Sequence, residues 1–227
     1  IKELPDGEFS FEDWIDDDGV EFGKPIRLFV TLTKKGDNLL ADWTGTSEQV
    51  KGAINNTLSF TQAAVYCCVR SVLPKGIPNN EGVFRAIKVT APEGTIANMV
   101  LPGACAARGL TGFRMVDCCF GALAMMLPDQ VFAASDGGNT GISIGGYDSH
   151  RNPFIYVDFT CGTWGGRPFA DGLDGNSNMH ANMASTSVEI TEAEHPIEKI
   201  GEKLRTLMPW IAEGKICLLY TSPSPRD

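Results

Sequence analysis

The sequence is short of basic residues. It has 19 Lys and Arg against 28 Asp and Glu, which gives a formal net charge of −9 at pH 7. Nucleic acids and anionic membranes attract basic surfaces and repel acidic ones, so this balance argues against both as partners. We therefore expect a cytoplasmic protein that binds no nucleic acid and no membrane.

Three further features are missing: a nucleotide-binding motif, a cysteine pair with metal-ligand spacing and an apolar run of transmembrane length. The glycines from Gly137 to Gly146 suggest a phosphate-binding loop only superficially, because no Lys-Ser or Lys-Thr follows them, and a turn between strands is expected. The pairs Cys67-Cys68 and Cys118-Cys119 lie in apolar helical patterns, which predicts reduced core thiols. Asp16 to Gly19 lacks the ligand spacing of a calcium loop and predicts a solvated acidic turn.

The order of apolar and polar residues predicts a mixed α/β fold of the α+β type, with short strands, hairpins and a few buried helices. Strands are predicted at 26–33, 38–44, 84–90, 131–134, 141–144 and 154–159, and helices at 60–73 and 111–127. Pro74 and Pro128 end the two helices, and Gly121 indicates close packing against a neighbour. The Pro-rich stretch 73–80 is the one predicted subdomain boundary.

The segment from Asp158 to Met183 is rich in Gly, Asp and Asn and follows a predicted strand. Glycines permit positive φ and close approach of the backbone, while Asp and Asn side chains bind polar ligands or cations. The same composition is also common in surface loops with Asx turns. The residues alone leave these two interpretations open.

Several motifs, in order along the chain, resemble the hydantoinase B/oxoprolinase family. They are 4–19, 42–55, 80–94, 106–108, 117–128, 158–183 and 187–189. This family includes N-methylhydantoinase B-type subunits, the second half of ATP-dependent 5-oxoprolinases and the larger subunits of acetone and acetophenone carboxylases. Because independent motifs occur in the family's order, the chain is identified as a member, and the resemblance implies a fragment of a larger catalytic subunit.

The resemblance implies ATP-dependent opening of a ring amide, with ATP bound by a hydantoinase A-type partner subunit or fused domain. Phosphorylation of an amide oxygen creates a leaving group, so this subunit has to position the intermediate and stabilise its charge. Two alternatives stay open: a subunit of an ATP-dependent ketone carboxylase, and a scaffold without catalytic groups. A divalent metal is compatible with this chemistry, and the resemblance puts its ligands before Ile1, so no metal ligand is predicted within this chain.

Candidate site residues follow from residue type and from the resemblance. Asp171, Asp174 and His180 are candidates for acid/base chemistry. Substrate-binding candidates are Arg108 and Arg167, whose guanidinium groups match carboxylate or phosphate, together with Asn139 and Asn178. For each residue a structural role is the alternative: an ion pair for the arginines, a turn for the aspartates and a hydrogen-bonded imidazole for the histidine.

Both ends of the sequence predict a fragment, since there is no initiator Met and no signal peptide. Residues 1–197 are expected to form part of a hydantoinase B/oxoprolinase-type domain. Residues 198–216 depart from the family pattern and predict a short amphipathic helix. Residues 217–227 resemble the translation of a sequencing-library adapter, and we expect them not to be native protein.

Overall fold

The computed structural model describes residues 1–135, 139–147, 150–161, 164–172 and 218–220. The chain divides into two compact units, one formed by Ile1–Gly137 with Trp164–Leu173, the other by Gly138–Thr163 with Asp174–Asp227. The boundary predicted at 73–80 is wrong, because that stretch lies inside the first unit. Its backbone connects two helices of that unit.

The first unit is built on a four-stranded sheet in the order β1-β2-β3-β4. The strands are β1 (Gly7–Ile15), β2 (Ile26–Lys35), β3 (Asn38–Asp42) and β4 (Ile87–Thr90). Antiparallel pairing joins β1 to β2 and β2 to β3, whereas β4 lies parallel to β3. Alternate residues of the sheet point to one buried face, on which Ile26, Leu28, Val30 and Leu32 are at most 3% exposed.

Three helices complete the first unit: α1 (Leu58–Val72), α2 (Glu81–Phe84) and α3 (Arg108–Met126). α3 packs against β1, β2 and α1, and α1 also contacts β4. Among the described residues, α3 is the one helix long and apolar enough to cross a membrane, and 67% of that window is buried inside the structure. Such burial is the pattern of the central core helix of a globular unit.

Glycines let α3 approach its neighbours closely. A Cβ at Gly112 would overlap the Phe60 ring of α1, and a Cβ at Gly121 would overlap the Phe11 ring of β1. The close packing predicted for Gly121 is therefore confirmed. A larger residue at either position would push α3 away from the sheet or from α1.

Most predicted elements of the first unit are confirmed. The predicted hairpin is β2 and β3, and the two predicted helices are α1 and α3. The strand predicted at 84–90 begins only at Ile87, because Glu81–Phe84 forms the short helix α2, capped by the Asn80 side chain. Residues 131–134 do not form a strand, and β1 was not predicted.

The second unit contains a three-stranded antiparallel sheet in the order β6-β5-β7. Its strands are β5 (Asn139–Tyr147), β6 (Pro153–Cys161) and β7 (Leu218–Tyr220). The strands predicted at 141–144 and 154–159 are thus confirmed, and both are longer than predicted. The turn expected across Gly137 to Gly146 is wrong for 139–146, which belongs to β5. The helix predicted at 198–216 lies outside the described residues.

The cysteines of the first unit are free thiols. Cys68, Cys118 and Cys119 are buried, as predicted. Cys67 is exposed, so the prediction of a core thiol is wrong for this residue. Burial raises the pKa of the Cys68 and Cys118 thiols, so both stay protonated near neutral pH. Cys118 Sγ donates to the carbonyl of Phe11 on β1 at 3.4 Å. These thiols act as packing groups between the sheet and the helices.

The solvated acidic turn predicted at Asp16 to Gly19 is wrong for Asp18, which is only 8% exposed. Its carboxylate accepts hydrogen bonds from the backbone N–H groups of Glu21 at 2.6 Å, Gly52 at 2.8 Å and Val20 at 2.9 Å. These bonds hold the pKa of Asp18 at about 2, below its ordinary value of 3.8. Asp18 therefore fastens the loop after β1 to the loop around Gly52.

We expect Asp18→Asn to destabilise the protein at neutral pH and to have little effect in strong acid. The folded-state pKa is lower than the unfolded value, so the carboxylate contributes its full stabilisation above pH 3.8 and loses it as the pH falls through about 2. Urea unfolding at a series of pH values measures the difference between wild type and variant. A difference that stays constant from neutral pH to pH 2 would contradict this assignment.

Candidate functional site

A cleft of about 520 Å³ lies between β1, α3 and the segment 131–135 of the first unit. We call it the α3 cleft. Its walls are largely apolar, and four charged side chains also line it. The lining residues are Phe11, Glu12, Asp13, Arg114, Asp117, Phe120, Gly121, Ala124, Met125, Phe132, Ala133 and Ala134. A volume of 300 to roughly 1,000 Å³ with a few polar groups is typical of small-molecule sites.

Secondary structure explains why these residues meet. On β1, Phe9, Phe11 and Asp13 alternate on the side that faces the helices, since Phe11 pairs with Val30 and Asp13 with Leu28 of the buried row. On α3, Arg114 and Asp117 are three residues apart and therefore share one face. The close approach of Gly121 to Phe11 sets the width of the cleft at one end.

Three of the four charged side chains of the α3 cleft, Asp13, Arg114 and Asp117, form one connected cluster. Asp117 Oδ2 lies 3.1 Å from Arg114 Nη2, and the side chains are 2% and 28% exposed. Asp117 Oδ1 also accepts from the backbone N–H of Ser135 at 3.4 Å, and Arg114 Nη2 donates to the Ser135 carbonyl at 3.3 Å. The pair therefore fixes the 131–135 segment to α3.

Asp13 makes a looser contact with this cluster. Its Oδ2 lies 3.8 Å from Arg114 Nη1, while its Oδ1 accepts from the backbone N–H of Trp14 at 2.8 Å. Both side chains are 28% exposed. A separation of 3.8 Å permits electrostatic attraction but is too long for a hydrogen bond.

The segment 164–172 packs against Phe132 and Ala133, which line the α3 cleft. Gly166 accepts a backbone hydrogen bond from Ala133 at 2.8 Å, and the Trp164 ring stacks on Phe132 with centroids 5.4 Å apart. Phe132 in turn contacts Phe120 of α3 at 5.2 Å. Residues 164–172 of the Gly-rich segment thus contact one side of the α3 cleft through a row of aromatic rings.

The structure brings two of the predicted site residues together. Arg167 and Ala170 exchange backbone hydrogen bonds across a tight turn, and Arg167 Nε donates to the carbonyl oxygen of Asp171 at 2.9 Å. Arg167 and Asp171 are both exposed. This geometry fits the turn role of Asp171 and leaves the remaining N–H groups of Arg167 facing solvent.

Arg108 lies elsewhere in the first unit, at the first residue of α3. Its guanidinium lies over the Phe60 ring of α1, 5.6 Å from the centroid, and donates to the Cys105 carbonyl at 3.4 Å. Neither α1 nor α3 has a side-chain cap or an acidic residue in its first turn. We call Arg108 with these two helix N-termini the helix-start pair.

Hydrogen bonds between distant loops hold the helix-start pair in place. Ala107 donates its backbone N–H to the Ala53 carbonyl at 2.8 Å, and Met99 donates to the Asn56 carbonyl at 2.8 Å. The buried Asn55 side chain donates to the carbonyls of Val50, Gly52 and Ala104. The dipole of a helix gives its start partial positive charge, so two starts beside an Arg favour an anionic group.

The other predicted site residues are less fully described. Asn139 is the first residue of β5 and pairs with Cys161 of β6. Asp174, Asn178 and His180 lie outside the described residues, so their roles remain predictions. Within the described ranges, no group of three or more His, Cys, Asp or Glu could hold a metal ion.

Sequence reasoning missed the polar residues of the α3 cleft: Asp13, Arg114 and Asp117. A signal was present, because Arg114 and Asp117 are the two charged residues within the apolar run 111–127. Charged residues in a buried helix are rare unless they are paired. Asp13 gave no such signal, since it lies in an acidic stretch that resembles a solvated strand edge.

Two solved structures share the fold of this chain. Acetone carboxylase in its nucleotide-free structure matches with a TM-score of 0.70 and 13% identity, over 84% of this chain and 28% of that one. The ATP-dependent caprolactamase of Pseudomonas jessenii matches with a TM-score of 0.59 and 21% identity, over 77% of this chain and 33% of that one. At these identities the likeness shows the fold.

The chain belongs to the hydantoinase B/oxoprolinase family, whose family model matches residues 1–206. A Pseudomonas sp. (strain NS671) protein, named as the B-type subunit of a D-/L-hydantoinase, is 34% identical over 90% of this chain, which spans 36% of that protein. The 5-oxoprolinase of Saccharomyces cerevisiae is 29% identical over 68% of this chain, which spans 12% of that protein. The family membership expected from the motifs is confirmed, and the chain spans little more than a third of these relatives at most.

Proposed function

We propose that the chain is part of a subunit or domain of an ATP-dependent cyclic amidase that opens hydantoin or 5-oxoproline rings in the cytoplasm. The observation that carries the proposal is the 34% identity to the B-type subunit of a hydantoinase over 90% of the chain. The relative's name describes one subunit of an enzyme, which supports a hydantoinase A-type partner. ATP is proposed to bind to that partner. Where the reaction uses a divalent cation, its ligands are proposed to lie outside this chain.

The helix-start pair gives this proposal a binding site. Phosphorylation of an amide oxygen produces an anionic intermediate, and ring opening produces a carboxylate. A guanidinium and two helix N-termini are suited to hold either anion, because their donors are fixed by the fold before the substrate arrives. Stacking on Phe60 keeps the Arg108 side chain at the helix start.

The test is ATP consumption by the complete subunit, co-expressed with the hydantoinase A-type protein, in the presence of hydantoins, 5-oxoproline, or acetone with bicarbonate. We expect ATP hydrolysis that depends on a ring substrate. ATP consumption that requires acetone and bicarbonate would instead identify the enzyme as a ketone carboxylase. The chain shares its fold with part of acetone carboxylase. ATP hydrolysis independent of every substrate would contradict both assignments.

A further inference from the structure

We propose that the α3 cleft binds the amide edge of a lactam ring, with Asp13 accepting from the ring N–H and Arg114 donating to the ring carbonyl. This inference rests on the proposed function for the choice of ring amide. It adds a binding site for the uncharged ring, distinct from the helix-start pair, which is proposed for the anions that form later, and it assigns the two residues that recognise the ring.

The first step is the spare hydrogen-bonding capacity of Asp13 and Arg114. Among the described residues, Arg114 Nη1 has one polar partner, Asp13 Oδ2 at 3.8 Å, which is beyond hydrogen-bond distance. Within the described part of the chain, the one polar partner of Asp13 Oδ2 is Arg114 Nη1. The other carboxylate oxygen, Oδ1, accepts from the Trp14 N–H. Each side chain lines the cleft and is 28% exposed. The pair therefore offers one acceptor and one donor side by side.

The second step is the shape of the ligand that matches such a pair. A lactam ring of five or six atoms holds its amide in the cis form, so its N–H and C=O point to the same side. An acyclic secondary amide is trans and points them in opposite directions. A neighbouring acceptor and donor thus distinguish the cyclic amide from its open-chain counterpart by geometry.

The third step is the environment of the rest of the ring. The other side chains of the cleft include Phe11, Phe120, Phe132 and Met125, which fit the methylene groups of a small ring. Arg114 is held from behind by Asp117 at 3.1 Å and by the Ser135 carbonyl at 3.3 Å. Nη1 is therefore fixed in direction before a ligand enters, which lowers the entropy cost of binding.

The test measures binding to the complete subunit, without ATP, by ligand-observed NMR titration. The probes are 2-pyrrolidinone and N-methyl-2-pyrrolidinone, which share ring and carbonyl but differ in the N–H. We expect the N-methyl probe to bind about tenfold more weakly, because it cannot donate to Asp13. Asp13→Ala should weaken 2-pyrrolidinone about tenfold and remove the preference, whereas Arg114→Lys should weaken both probes.

Glu8→Ala is the matched control, because it removes a carboxylate from the same strand away from the cleft, and it should leave both affinities unchanged. Asp13→Leu, which keeps side-chain volume without an acceptor oxygen, serves where Asp13→Ala lowers the melting temperature. Equal affinity of wild type for the two probes, no measurable binding, or unchanged binding by both Asp13 variants would overturn the proposal. Ring-dependent ATP hydrolysis with no effect of Asp13 replacement would overturn this site and leave the proposed function standing.

Discussion

Replacement of Arg114 by Met is expected to destabilise the complete subunit by about 3–5 kcal/mol. Asp117 is 2% exposed and has Arg114 Nη2 at 3.1 Å, so the variant leaves a buried carboxylate without its cationic partner. The Ser135 N–H at 3.4 Å is too weak a hydrogen bond to replace that charge. Urea unfolding at neutral pH, followed by circular dichroism, measures the loss.

The double variant Arg114→Met with Asp117→Leu provides the control. Because it removes both charges and keeps apolar volume, we expect it to recover most of the lost stability. Such recovery would show that the cost of the single variant arises from the unpaired charge and not from lost packing. A double variant as unstable as the single one, or a single variant with wild-type stability, would contradict the assignment of a buried ion pair.

Replacement of Arg108 by Ala is expected to lower kcat/KM for the ring substrate about hundredfold in the complete enzyme. The variant removes the guanidinium from the helix-start pair but leaves the helix N-termini in place. Arg108→Lys should recover part of the activity, since it restores the charge without the planar fork. Steady-state ATP hydrolysis with varied ring substrate gives the measurement.

Arg85→Ala is the matched control, because Arg85 is exposed at the end of α2 and has no side-chain hydrogen bond in the described part of the chain. It should retain wild-type activity. Size-exclusion chromatography of each variant with the hydantoinase A-type partner separates catalysis from assembly. Loss of the complex by Arg108→Ala would favour a scaffold role, and full activity of Arg108→Ala would remove Arg108 from the site.

The secondary structure that the sequence predicts well has strong apolar periodicity and clear ends. β2 alternates buried and half-buried residues, and Pro74 and Pro128 mark the ends of two helices. β1 escaped prediction because its helix-facing row contains Asp13 and its other residues include Glu8 and Glu12. The strand expected at 131–134 is apolar enough, but among the described residues its backbone has one partner, Gly166, and no ladder.

The candidate site was harder to predict, since its residues come together only through tertiary packing. Arg108 was identified from its motif, and the reason for its position, the meeting of two helix starts beside Phe60, is a property of the fold. Arg114 and Asp13 lie far apart in the sequence and meet because α3 crosses β1. No local pattern contains that information, which arises from long-range contacts.

The parallel pairing of β4 with β3 also affects how the protein is made. β1, β2 and β3 pair through short connections, so they assemble as soon as residue 42 has left the ribosome. The edge of β3 then stays unpaired until β4 has been synthesised. β4 follows α1 and α2 in the chain and pairs with β3 over residues 87–90. Closing this long connection is slow, and an unpaired strand edge invites association with other chains. The edge of β3 is thus unpaired while α1, α2 and β4 are synthesised.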